Sequence, residues 1–125
     1  MAVQTMSAPQ VKAAPTPVVM TARDTRTIHR ITGISIGIAM AALSIGVTLG
    51  VFQGMEHAGF DWYWALRPLL IKSYYQGLTL HGVLNALVWT TFFIVGFFTF
   101  AVTNSFKRPL KYPWVSWLGL GMMTV

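Results

Sequence analysis

Residues 31–52 carry no charged side chain, and neither do residues 77–103. These two uncharged runs restrict the possible folds more than any other feature. About 20 predominantly apolar residues, rising ~1.5 Å each as a helix, cross the hydrocarbon layer of a bilayer. Only 10% of the chain is charged, well below the roughly 25% of a typical soluble domain. The charges also cluster outside the two runs, so they cannot coat a water-facing surface. Lipid is therefore the expected solvent for most of the chain.

The expected fold is an all-α membrane protein with two complete transmembrane helices, over about 31–52 and 77–103, and the start of a third over 114–125. Residues 1–30 are rich in proline, alanine and small polar side chains at their start and read as a flexible cytoplasmic tail. The apolar run begins only after Arg30, which argues against a cleaved signal peptide. The third run, from Trp114 to Val125, is too short to span, and the expectation is a spanning helix cut off partway, with a re-entrant segment as the alternative. The whole transmembrane region is then 31–125.

In the first span, Gly33, Gly37, Gly46 and Gly50, with Ala41 four residues beyond Gly37, give small-x-x-x-small spacings that admit a neighbouring helix closely. The connection over 53–76 is rich in aromatic residues, including Phe60, Trp62, Tyr63, Trp64, Tyr74 and Tyr75, which suit a membrane–water interface. Trp62 to Lys72 is compatible with a short interfacial helix interrupted at Pro68. Lys12, Arg23, Arg26 and Arg30 against Asp24 give the tail a net charge of +3, and Lys107, Arg108 and Lys111 give the turn after the second span another +3. Arg67 and Lys72 balance Glu56 and Asp61 in the connection. The positive-inside rule therefore predicts a cytoplasmic N-terminus and an outward-facing connection. This distribution flanks apolar runs and forms no stripe, so nucleic acid is not an expected partner. Cysteine is absent, which excludes thiolate metal sites and disulfides.

His81 is the residue that carries chemistry. It lies four residues into the second span, where an ionisable ring needs a partner. Asn85 follows on the same helix face, and Gly77 and Gly82 are expected to leave room beside the ring. A structural histidine, a proton relay and a metal ligand are the three readings. The relay reading is disfavoured because the rest of 77–103 holds no acid, no base and no second histidine. A lone imidazole suits haem, which takes one or two axial ligands from protein, better than zinc or copper, which take three or four. His29, among Arg26 and Arg30, and His57, beside Glu56, read as interfacial or solvated residues.

The string SYYQGLTLHGVLNALVWTTFF, residues 73–93, closely resembles the second transmembrane helix of subunit I of B-family haem–copper oxygen reductases, which are cytochrome c oxidases. The first helix and the basic tail agree with that family in character. The resemblance implies that His81 is an axial iron ligand of the low-spin haem b. It also implies a place within a larger bundle, with the remaining oxidase helices, other oxidase subunits and cytochrome c or a similar donor as partners. The implied activity of the complete subunit is oxygen reduction to water with proton translocation in aerobic respiration, at a bacterial or archaeal plasma membrane. The family's second axial histidine, its copper-binding histidines, its high-spin haem ligand and its cross-linked tyrosine have no counterpart in these 125 residues. No catalytic residue is therefore assigned, and this stretch alone is expected to be inactive. Two alternatives stand beside this reading. HRITG, His29 to Gly33, resembles a motif in the haem b anchor of succinate dehydrogenase. The other is a non-redox membrane assembly subunit in which His81 is structural.

Overall fold

A computed structural model describes residues 19–125, and every described regular element is helical. The charge and composition of the first 18 residues, Lys12 included, lie outside the described residues.

Helix α1 runs Ala22–His57. It begins well before the apolar run, because Thr21 and Asp24 close a capping box. The Asp24 N–H donates to Thr21 Oγ1 at 3.2 Å, and the Thr21 N–H and hydroxyl donate to Asp24 Oδ2 at 3.0 and 2.6 Å. Arg23, Arg26 and Arg30 therefore lie within α1.

The chain then turns through Gly59, at φ +91°. The expected helix from Trp62 to Lys72 is reduced to one α-turn, α2 (Tyr63–Leu66), and a 3₁₀ turn, Arg67–Leu69, containing Pro68. Leu70 at φ +63° ends it, a conformation with which an α-helix cannot continue. Asp61 supports α2 by accepting the Tyr63 N–H at 2.9 Å.

The second long helix spans Tyr74–Phe106. Ser73 caps it, accepting from the Gln76 N–H at 3.4 Å. It has three parts: α3 (Tyr74–Gly82), a π-helical stretch Val83–Trp89, and α4 (Thr90–Phe106). Within the widened turns the Thr90 hydroxyl donates to the Asn85 carbonyl, five residues back, at 3.1 Å. Lys107, in the left-handed region at φ +51°, stops α4. Helix α5 (Pro113–Met123) starts with a proline, whose missing N–H costs nothing in a first turn.

Helices α1 and α3–α4 form an antiparallel hairpin. His57 meets Tyr74, Gly50 meets His81, Gly46 meets Asn85 and Ser35 meets Gly96, in equal steps along both helices. Of the nine buried α1 residues, all but Ile31 (Ile28, Thr32, Ser35, Ala39, Ala42, Gly46, Leu49 and Gln53) alternate in steps of three and four, the spacing of a helix–helix seam. Ala39, Phe92 and Leu120 make the small core that ties α5 to the hairpin, flanked by Ile38, Val88, Trp89 and Met123.

Outside this seam the surface is apolar. Ile45, Val47, Val51, Phe97 and Phe98 are half exposed or more. Only 28% of the most apolar window of α1 and 17% of that of Tyr74–Phe106 is buried. A core helix of a water-soluble protein would be largely covered, whereas a lipid-facing helix keeps its apolar side chains outward. The chain is thus an all-α membrane protein with two helices able to span a bilayer. Antiparallel pairing brings Arg23, Arg26 and Arg30 to the same end as Lys107, Arg108 and Lys111, here called the basic end. The connection 58–73 lies at the other.

Candidate functional site

His81 sits on the last turn of α3 and points at α1. Its Nδ1 lies 2.6 Å from the carbonyl oxygen of Gly46 and 3.1 Å from the Asn85 amide nitrogen. Two acceptors 2.6 Å apart would repel, so Nδ1 carries the ring proton and donates it to the Gly46 carbonyl. An Asn85 amide nitrogen facing that N–H would set donor against donor. Rotating the amide by half a turn presents Oδ1 to Nδ1–H instead, and it gives a partner to an oxygen that otherwise has none while buried. Asn85 and Gly46 then hold the proton on Nδ1, and Nε2 keeps a bare lone pair with no protein donor assigned to it.

Metal-bound histidines commonly have this arrangement: one nitrogen donates to a backbone carbonyl or carboxylate, which fixes the ring plane and the tautomer, while the other binds the metal. The site therefore fits one axial ligand to an iron. It does not fit a many-ligand metal ion, since among the described residues no three His, Cys, Asp or Glu side chains cluster as a metal site. The ring is half-buried, so Nε2 is not sealed inside the hairpin.

The space that admits the ring comes from α1. A Cβ on Gly50 would stand 2.7 Å from His81 Cε1 and 3.0 Å from Nδ1, and a Cβ on Gly46 would strike the Asn85 amide. Gly77 serves a different neighbour: a Cβ there would meet the Tyr63 hydroxyl at 2.5 Å. Gly82 faces open space. Of the two glycines expected to leave room beside the ring, Gly77 is covered by Tyr63 while Gly82 is open, and the sequence reading missed the Gly46 carbonyl as a partner. The available signal was the four-residue step from Gly46 to Gly50, which equals the step from His81 to Asn85 on an antiparallel helix.

The remaining histidines are elsewhere. His29 is exposed at the basic end, its ring 6.3 Å from that of Phe100. His57 closes α1, and its Nε2 pairs with the Tyr74 hydroxyl at 3.0 Å. Tyr63 is 4% exposed, and burial first, then the charge of Glu56 and the Tyr74 ring beside it, pushes its phenol above the ordinary value.

Over 80 residues the chain is 41% identical to cytochrome c oxidase subunit 1 of Thermus thermophilus, a stretch covering 61% of this chain and 14% of that protein. The chain thus spans about a seventh of the length of the curated relative it matches. No family model and no solved structure matches it. The identity supports a relationship to subunit I of haem–copper oxidases.

Proposed function

We propose that this chain is the opening hairpin of the catalytic subunit of a terminal oxidase and that His81 Nε2 is an axial ligand of a low-spin haem b. The observation carrying this reading is the Nδ1–H···O=C bond to Gly46, which leaves Nε2 free in a chain similar to cytochrome c oxidase subunit 1. Bound there, haem b would accept and pass on single electrons without touching oxygen itself. The chain's own contribution is positional. Gly46 and Asn85 set the ring's tautomer, Gly50 gives it a place to lie, and the surrounding apolar helices exclude water. A ring held rigidly also limits reorganisation when the iron changes charge.

The finer assignments rest on the resemblance of residues 73–93 to the B family. They are electron entry from cytochrome c or a similar donor, oxygen reduction at a high-spin haem and copper held by other helices and subunits, proton translocation, and a bacterial or archaeal plasma membrane. The orientation rests on charge. Arg23, Arg26, Arg30, Lys107, Arg108 and Lys111 gather at one end, which the positive-inside rule puts in the cytoplasm, leaving the connection outside. Neither a succinate dehydrogenase-type anchor nor an assembly subunit draws support from a specific observation.

The test is His81→Ala in the full-length subunit, read by reduced-minus-oxidised spectra of purified protein. The low-spin haem b band should disappear while the high-spin haem signal persists. An unchanged low-spin band would refute the assignment.

A further inference from the structure

The ring proton of His81 has two acceptors where one would do. The Gly46 carbonyl, 2.6 Å from Nδ1, is close enough to fix the tautomer unaided. The Asn85 amide, 3.1 Å from the same nitrogen, is surplus to that task. Yet it is held there from two sides. It packs against Gly46, where a Cβ would collide with it. Its own backbone carbonyl receives the Thr90 hydroxyl at 3.1 Å, within the π-helical turns that begin two residues after His81. An amide in a membrane-spanning helix is costly to keep, so a partner for it carries information.

With Oδ1 turned to Nδ1–H, the orientation that gives this buried oxygen a partner, the ring proton is shared between the main-chain carbonyl and the side-chain amide. Each acceptor draws the proton outward and raises electron density at Nε2, the way outer hydrogen bonds make a histidine ligand more basic. A more basic axial ligand favours iron(III) over iron(II) and so lowers the reduction potential. Hydrogen bonding beyond the axial ligand is a recognised lever on haem potential. The carbonyl is main chain, and no substitution changes its strength directly. Asn85 supplies the part of the pull that a side chain can adjust.

We propose that Asn85 is a positioning residue that sets the reduction potential of a haem held at His81, lowering it by sharing the Nδ1 proton with the Gly46 carbonyl, and that Thr90 keeps Asn85 in register for this. The inference rests on the axial-ligand reading of His81 and goes beyond it. The carbonyl fixes which nitrogen faces the iron, and the amide fixes how strongly that nitrogen donates. One electron enters or leaves the iron, and the ring proton stays on Nδ1 in both oxidation states.

The experiment is a spectroelectrochemical titration of the low-spin haem b in the full-length subunit within its membrane complex. Asn85→Leu keeps the size of the side chain and removes the acceptor. At a fixed applied potential its ratio of reduced to oxidised haem should rise by about three- to tenfold, tenfold being 59 mV for a one-electron couple. Asn85→Asp offers a charged and therefore stronger acceptor, so the ratio should fall severalfold at a pH where that carboxyl is ionised. Thr90→Val, which only frees the Asn85 backbone, should move the ratio in the direction of Asn85→Leu and by less. The low-spin band should keep its height in all three, because the Gly46 carbonyl remains. Shifts of opposite sign from Leu and Asp are what a purely structural role would not give, since loosened packing would move both alike. An unchanged ratio in Asn85→Leu, or shifts of one sign in both variants, would overturn the proposal. So would loss of the haem in Asn85→Leu, which would make the amide a support for the ring and not a control on its potential. Failure of the haem assignment itself reads differently, as a low-spin band that survives His81→Ala.

Discussion

The two halves of α1 carry glycines at the same four-residue spacing and use them in opposite ways. Toward the connection end, Gly46 and Gly50 face α3 and the π-helical stretch, where they receive the Asn85 amide and the His81 ring. Toward the basic end, Gly33 and Gly37 have nothing within 4 Å of where a side chain would start. There the close approach depends on Gly96 of α4, which receives Ser35, Ile36 and the Thr32 carbonyl. In one half the glycines belong to α1 and the bulk to its neighbour, and in the other the roles are exchanged. Spacing reveals that a helix is able to pack closely, but the seam decides which glycines are used.

The largest effect is expected where the histidine would be displaced. Gly50→Ala forces a methyl group against the imidazole, and overpacking of this kind costs about 1–3 kcal/mol. The ring must move off the Gly46 carbonyl, so haem occupancy of the full-length protein should fall severalfold along with its thermal stability. Gly46→Ala should do nearly the same through Asn85. Gly33→Ala and Gly37→Ala should leave both measurements close to the parent, because removing a helix glycine from open space is worth at most about 1 kcal/mol in the stabilising direction. If Gly33→Ala proved as damaging as Gly50→Ala, the contrast between the halves would fail, and another helix would have to lie on that face.

A smaller loss is expected at Gly96. A Cβ there would lie 3.0 Å from Ile36 Cγ1 and Ser35 Cβ and 3.3 Å from the Thr32 carbonyl oxygen. The Ile36 side chain is flexible and can give, but the backbone carbonyl cannot. Gly96→Ala should therefore cost about 1 kcal/mol, at the low end for overpacking, with haem content unchanged because His81 is far along the hairpin. Denaturation and haem spectra of one preparation check both halves of this expectation. A loss of haem would mean that the two halves are coupled through the π-helical stretch.

Sequence reasoning reached the helical class and the two spans because both rest on long uncharged runs, and hydrocarbon enforces that signal strongly. It singled out His81 for the same reason, as the lone ionisable ring in an apolar helix. It also placed Asn85 beside the ring, as the structure shows, but it did not reach the α1 side of the site. The Gly46 carbonyl is a backbone atom, so no residue type announces it, and it became a partner only through the antiparallel register. The π-helical stretch was equally hidden, since Val83–Trp89 has no proline or glycine to mark a change of helix type. In the connection, the aromatic residues indicated an interface, but Leu70 in a left-handed conformation carries no compositional sign.

The smallest expected effect lies at the far basic end, where α1 is held by its cap and not by a histidine. The Thr21 side chain, then the Thr21 backbone N–H, and more weakly Arg23, hold the Asp24 carboxyl below its ordinary value against a small opposing effect of burial. A carboxyl lowered in the folded state stabilises the fold at pH above its unfolded value, and that contribution is lost as pH falls through the folded value. The amides of the first turn of α1 should then exchange hydrogen faster as pH drops below the ordinary carboxylate range, once the intrinsic pH dependence of exchange is removed. Thr21→Val should produce the same fraying at neutral pH, because valine matches the shape of threonine but neither donates nor accepts a hydrogen bond. Thr21→Ser should restore protection. Gly50 and His81, more than two dozen residues along α1 or on its partner, should not register the change. If low pH freed the whole helix at once, the cap would be holding far more than one turn, and the basic half of α1 would depend on it as the other half depends on its glycines.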